Sequence, residues 1–163
     1  MLYDHSVPFG DCSMTLRFKS SRWPALLCCY LLITGCDYLP FSGGAVVGDV
    51  VPVPESWSDV AKTSIIQLET QPDDPYSVNL WTVEVGGNLY VFAGDNRATW
   101  VDHIDSNDRV RLQASNEVFI LSAERVTDAA EFSAFAAAWA KKYGNRPQNE
   151  RVDETYLYRL SPR

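Results

Sequence analysis

The chain has 163 residues, with 14 Lys and Arg against 21 Asp and Glu, a net charge of −7. An acidic chain without a basic stripe repels phosphate backbones, which sets nucleic-acid binding aside. All four cysteines, Cys12, Cys28, Cys29 and Cys36, fall within the first 36 residues, so the rest of the chain has no thiol for a disulfide framework or a cysteine metal site.

Taken in chain order, Arg17, Lys19 and Arg22 precede an apolar run holding Leu26, Leu27, Tyr30, Leu31, Leu32 and Ile33, which closes on Gly35-Cys36. A basic flank, an apolar stretch and a small residue before cysteine follow the order of a bacterial lipoprotein signal. Cleavage after Gly35 would leave Cys36 as the new N-terminus, its thiol carrying a diacylglyceryl group. The run falls short of the roughly 20 apolar residues that a spanning helix needs. A buried apolar helix ending in Gly-Cys is the competing reading, and it leaves the one-sided positive charge without a purpose. Residues 1–35 are therefore expected to be the signal, with 1–13 an upstream extension before Met14. The expected product is lipid-anchored at Cys36 on the periplasmic or other extracytoplasmic face of the cell membrane. Asp37 favours the inner membrane if the host is Gram-negative.

Residues 36–163 hold 11 Lys and Arg against 19 Asp and Glu, a net charge of −8. Within 37–54, Pro40, Gly43, Gly44, Gly48, Pro52 and Pro54 interrupt any periodicity and predict a flexible tether, so 36–54 is read as anchor and tether and 55–163 as the folded domain. Residues 56–62 suit one or two helical turns, and 64–69 a first strand. A strand is read over 80–85, from Leu80, where Trp81, Val83 and Val85 alternate with polar Thr82 and Glu84; Gly86-Gly87-Asn88 follows, and 89–93 is apolar again, which predicts a tight hairpin. A short helix is expected over 99–105, with Trp100, Val101 and Ile104 inward, and a second strand pair over 109–114 and 118–126 around Ser115-Asn116.

Asp128 with Glu131 forms a capping-box pattern, and Gly144 stops the helix that follows. On its face, Phe132, Phe135, Ala136, Trp139 and Tyr143 recur at helical spacing, a stripe that suits core better than a cofactor pocket. Residues 155–160 alternate as a closing strand. The pattern predicts an α+β fold: a small, mostly antiparallel sheet curled into a barrel, with one main helix in the C-terminal half and short helices besides.

Little in the domain offers chemistry. His103 is its single histidine, flanked by Asp102 and Asp105; neighbours on a helix do not face one another, so adjacency does not make Asp102 its partner, and a surface or interface role fits better than general-base work. There is no Gly-x-Ser-x-Gly elbow, and neither Gly-Gly pair has the helix and lysine of a phosphate loop. Arg97 stands out. With Thr99 and a helix start beside it, its guanidinium could receive a phosphate or other anion, or it could simply pair with Asp95 or Asp102 at the surface.

The run Gly94-Asp95-Asn96-Arg97-Ala98-Thr99-Trp100-Val101-Asp102-His103-Ile104, the strand start Asn107-Asp108-Arg109-Val110 and the capped helix ending Lys142-Tyr143-Gly144 resemble the split β-barrel superfamily over about 65–160. That superfamily includes flavin-binding pyridoxamine-phosphate-oxidase-like and deazaflavin-dependent nitroreductase-like proteins. The resemblance implies a homodimer with FMN or deazaflavin in a groove between subunits, Arg97 and Thr99 touching the phosphate and Trp100 packing beside it. Three features depart from it. Asp73-Asp74-Pro75 stands where relatives carry basic residues, Asp108 replaces the usual proline, and Asp102 occupies a position often basic or polar.

Two functions fit these residues. One is a non-enzymatic lipoprotein of the cell envelope whose split-barrel domain binds a small molecule or an envelope partner. The other is a flavin- or deazaflavin-dependent oxidoreductase acting on a small acceptor such as a quinone or nitro compound. The missing basic residues favour the first.

Overall fold

The computed structural model describes residues 43–163; the signal, Cys36 and the first part of the tether lie outside them. The described residues form β1 (Asp49–Val50), β2 (Ile66–Thr70), β3 (Tyr76–Leu80), β4 (Thr82–Val85), β5 (Asn88–Phe92), α1 (Thr99–Ser106), β6 (Arg109–Ala114), β7 (Glu117–Arg125), α2 (Ala129–Tyr143) and β8 (Leu157–Pro162). A single turn of 3-10 helix, Val60–Lys62, precedes β2.

Seven strands pair antiparallel in the order β3-β2-β6-β7-β8-β5-β4, and the short β1 joins β7 in parallel. The two outermost strands of that path, β3 and β4, are consecutive in the chain with Trp81 alone between them. One residue cannot cross an open sheet whose strands lie about 4.8 Å apart, so the sheet has to curl until its edges meet. The result is a split barrel, α+β as its pattern of elements predicts. The seam at Trp81 is pinned from outside: Lys142 Nζ donates to the carbonyls of Thr63 and Thr82 at 2.7 Å each, and Tyr143 Oη lies 3.0 Å from the Thr82 carbonyl.

Alternation along the strands sorts side chains into two cores. Leu68, Leu89, Val91, Val110, Leu112, Leu121 and Leu160 point into the barrel with Trp100, Val101 and Ile104 of α1. Val83, Tyr90 and Leu157 point the other way and meet Phe132, Phe135, Ala136 and Trp139 of α2. The aromatic stripe of α2 is therefore core along most of its length.

The turns explain the register. Val85 pairs with Asn88, so the first hairpin closes on Gly86-Gly87 alone, both at positive φ, 58° and 81°; two left-handed residues in succession match the twist of the flanking strands, and glycine takes that conformation without strain. In the second hairpin Ala114 pairs with Glu117 around Ser115-Asn116. Asp128 caps α2 by accepting from the Glu131 N–H at 2.7 Å, and Gly144 ends the helix at φ 89°.

Three expectations need correction. The strand read as 80–85 is two: Leu80 ends β3, a strand not foreseen, and Trp81 is the corner. Only half of the capping box forms, because the Glu131 carboxylate accepts instead from Tyr90 Oη at 2.9 Å and from Arg159 at 2.8 Å. The segment read as flexible tether is docked from Gly43 onward. Gly43 exchanges backbone hydrogen bonds with Ser77, and Asp49 and Val51 donate to Asn116 and Val118. Gly48 lies so close to the Asn116 carbonyl that a Cβ would sit 2.5 Å from its oxygen, which explains why a residue without a side chain stands there.

Buried phenols give the domain an alkaline limit. Burial pushes the Tyr90 phenol from 10.0 up to about 12, helped by its hydrogen bond to Glu131. Burial also raises Tyr158, with the Asp105 charge adding to it, and Tyr143. A phenol that keeps its proton in the folded state but loses it on unfolding contributes stability below the unfolded pKa, and that contribution fades as pH rises through the folded one. Lys142, lowered by burial, works in the opposite direction but is a single group. Urea midpoints should fall as pH climbs above about 10, and Tyr90→Phe should flatten that slope.

Candidate functional site

The chain leaves β5 through Gly94 at φ 69°, turns over Asp95 and Asn96, and starts α1 at Thr99. Asp102 and Asp105 stand three residues apart on α1, so both carboxylates share one side of the helix. Arg97 folds back onto them. Its Nε donates to Asp102 Oδ1 at 2.6 Å and its Nη2 to Asp105 Oδ2 at 2.8 Å. Asp105 also accepts from Tyr158 Oη at 3.1 Å, so the cluster links the surface to the barrel interior. The Asp102 hydrogen bond is the largest cause holding the Arg97 guanidinium above its ordinary pKa.

The three residues that the resemblance assigns to a cofactor do not share one surface. Arg97 and Thr99 are exposed, whereas Trp100 is 3% exposed inside the barrel, its ring edge-on to Tyr158 at 5.6 Å. A phosphate needs donors whose charge is unspent, and here the guanidinium already serves two carboxylates. Within one chain these residues do not fit a phosphate-bearing flavin or deazaflavin.

His103 faces β2 and β3. Its Nδ1 lies 2.9 Å from Thr70 Oγ1 and its ring meets the edge of Tyr76 at 5.0 Å. It borders a cavity of about 310 Å³ lined also by Asp73, Asp74, Ser106 and Asn107. Its hydroxyl and aromatic partners pack it between elements, and neither Asp102 nor Asp105 is bonded to its ring.

A second feature escaped the sequence reading. At the seam, Trp81 is 51% exposed and stacks on Tyr143 at 5.1 Å with Trp139 5.6 Å away. Trp81, Trp139 and Phe92 line a cavity of about 230 Å³ together with Gly94, Asp95 and the loop 145–149. The available signal was Trp81 itself, a large aromatic next to a strand start with no core position to fill.

No family model matches the chain, and no curated protein does. Solved structures do resemble it in fold. A putative pyridoxamine 5'-phosphate oxidase from Listeria innocua aligns at TM-score 0.50 and 14% identity over 64% of this chain and 88% of its own. A putative 5-nitroimidazole antibiotic resistance protein from Bacteroides thetaiotaomicron aligns at 0.51 and 12% over 76% and 85%. A protein described as F420 reductase aligns at 0.50 and 18% over 68% and 96%. At these identities the likeness establishes the split-barrel fold.

Proposed function

We propose that this chain is a lipoprotein held through Cys36 at the extracytoplasmic face of the cell membrane, the inner one in a Gram-negative host, and that its split-barrel domain is a non-enzymatic binding module working as a homodimer. The anchor is supported by the basic flank, apolar run and Gly35-Cys36 junction. The observation that carries the binding-module reading is the Arg97 cluster: the cation best placed to hold a cofactor phosphate is bound by Asp102 and Asp105 of its own chain. The competing reading, a flavin- or deazaflavin-dependent oxidoreductase, draws support from the fold it shares with the F420 reductase. It would need a phosphate to displace two carboxylates from one guanidinium.

Each part has its own test. Palmitate should label the wild-type chain, and Cys36→Ser should abolish labelling and release the protein from membranes; a variant that stays membrane-bound would contradict the anchor. Calorimetric titration with inorganic pyrophosphate should give no heat with wild type. The Asp102→Asn/Asp105→Asn variant, with Arg97 released, should bind it at about millimolar Kd. Wild-type binding as tight as the variant's would contradict the blocked site.

A further inference from the structure

The aromatic cavity at the barrel seam combines two chemistries, ring surface and polar groups. One wall is ring surface: Trp81, Phe92 and Trp139. The Trp81 ring is held in a fixed plane, stacked at 20° on Tyr143, yet 51% of the residue remains open to solvent. A core indole that merely closed the hydrophobic cluster would be covered, since burying aromatic surface is what stabilises it. The rest of the lining is polar, with the exposed Gln148 amide, the carboxylate of Asp95, backbone at Gly94, and Asn149, whose own amide is already bonded to Glu154 and the Arg151 N–H.

Charge narrows the ligand class. The cavity's one cation among its lining residues, Arg146, is engaged by Glu150, with Nε and Nη2 at 2.5 and 2.6 Å from the two carboxylate oxygens. With that charge spent and Asp95 on the rim, an anion gains nothing here. A wholly apolar ligand would strip water from amides and a carboxylate without replacing their hydrogen bonds. What fits is a neutral ring with an apolar face and a hydroxylated edge. We infer that the cavity bounded by Trp81, Trp139, Asp95 and Gln148 binds a neutral saccharide, one pyranose ring lying on the Trp81 indole.

The roles follow from the geometry. The indole packs against the C–H face of the ring, and its stacking on Tyr143 sets that platform before binding, so the indole itself need not be ordered at the moment of contact. Asp95 accepts from sugar hydroxyls, and Gln148, donor and acceptor in one group, matches a hydroxyl that is both. The cavity volume, about 230 Å³ and open on one side, holds a single ring with neighbouring rings projecting into solvent. The inference rests on the binding-module reading and names its ligand class.

The test is calorimetric titration of the full chain in a sugar-free zwitterionic detergent with maltotriose, cellotriose and chitotriose in turn. At least one should bind saturably with a Kd of about 1 mM or tighter, and Trp81→Ala should weaken that binding about tenfold or more. Gln148→Leu, an exposed position, should weaken the same binding with an unchanged circular dichroism spectrum, which separates loss of contact from loss of fold. No saturable heat with any of the three sugars overturns the inference, as does sugar binding that neither variant alters. Saturable binding of a decaproline peptide at Trp81, with none of the sugars, also overturns it. None of these results bears on flavin binding, which is tested separately by dialysis against FMN and coenzyme F420.

Discussion

Arg111→Met is expected to remove about 3 kcal/mol of folding free energy, seen as a large drop in the urea midpoint with little change in its slope. The reason is the partner left behind. Glu69 lies on the outer face of β2 with its side chain 0% exposed, although it carries a charge. Three donors justify its position: Arg111 Nε at 2.7 Å, Arg111 Nη2 at 2.5 Å and the Val46 N–H at 2.7 Å. The register that places Glu69 opposite Arg111 on β6 makes the pair two-pronged. Removing the guanidinium leaves a buried carboxylate with the Val46 N–H as its one remaining donor, which is far costlier than losing an exposed ion pair. The double variant Glu69→Leu/Arg111→Met should recover most of the loss, because an apolar pair of similar bulk removes the desolvated charge altogether. A loss below about 1 kcal/mol in the single variant would mean that Glu69 regains water when Arg111 is gone.

Trp100→Ala should destabilise the domain by about 4 kcal/mol, while Arg97→Ala should leave the urea midpoint nearly unchanged. The two residues lie three apart and the resemblance gives both to one cofactor, but their surroundings are opposite. Trp100 fills the barrel against Tyr158, and its loss leaves a hole that the closed sheet cannot collapse to fill. Arg97 makes its ion pairs at half-exposed positions, where solvent screens them. Urea unfolding of the two variants checks the contrast directly. Equal, small losses from both would place Trp100 at a surface after all.

What was legible in the sequence was local. Gly86-Gly87 and Ser115-Asn116 between alternating runs specify two hairpins, and Asp128 with Gly144 specifies both ends of α2, because each signal acts within a few residues. β3 also carried a signal, since Tyr76, Val78 and Leu80 alternate with Ser77 and Asn79; Asp73-Asp74-Pro75 before it and the strong Trp81-Val83-Val85 pattern after it drew Leu80 into the wrong strand. At the candidate site, Asp102 was foreseen as a surface partner of Arg97, and Asp105 was reachable from its three-residue spacing on the helix. Trp81 itself was visible as a large aromatic without a core position, but the Glu69–Arg111 pair, the docking of Gly43 and Gly48, and the residues that enclose the Trp81 cavity all depend on which strands meet when the sheet closes. That is set by contacts tens of residues apart, and no local pattern encodes it.

The reading of the domain as a binding module that does not use a flavin is tested most directly by equilibrium dialysis of the wild-type chain against FMN and against coenzyme F420, each at about 100 μM. The account predicts that neither is retained above the level of a buffer control. One cofactor held per protomer, or per dimer, would contradict it and would mean that Arg97 exchanges Asp102 and Asp105 for a phosphate.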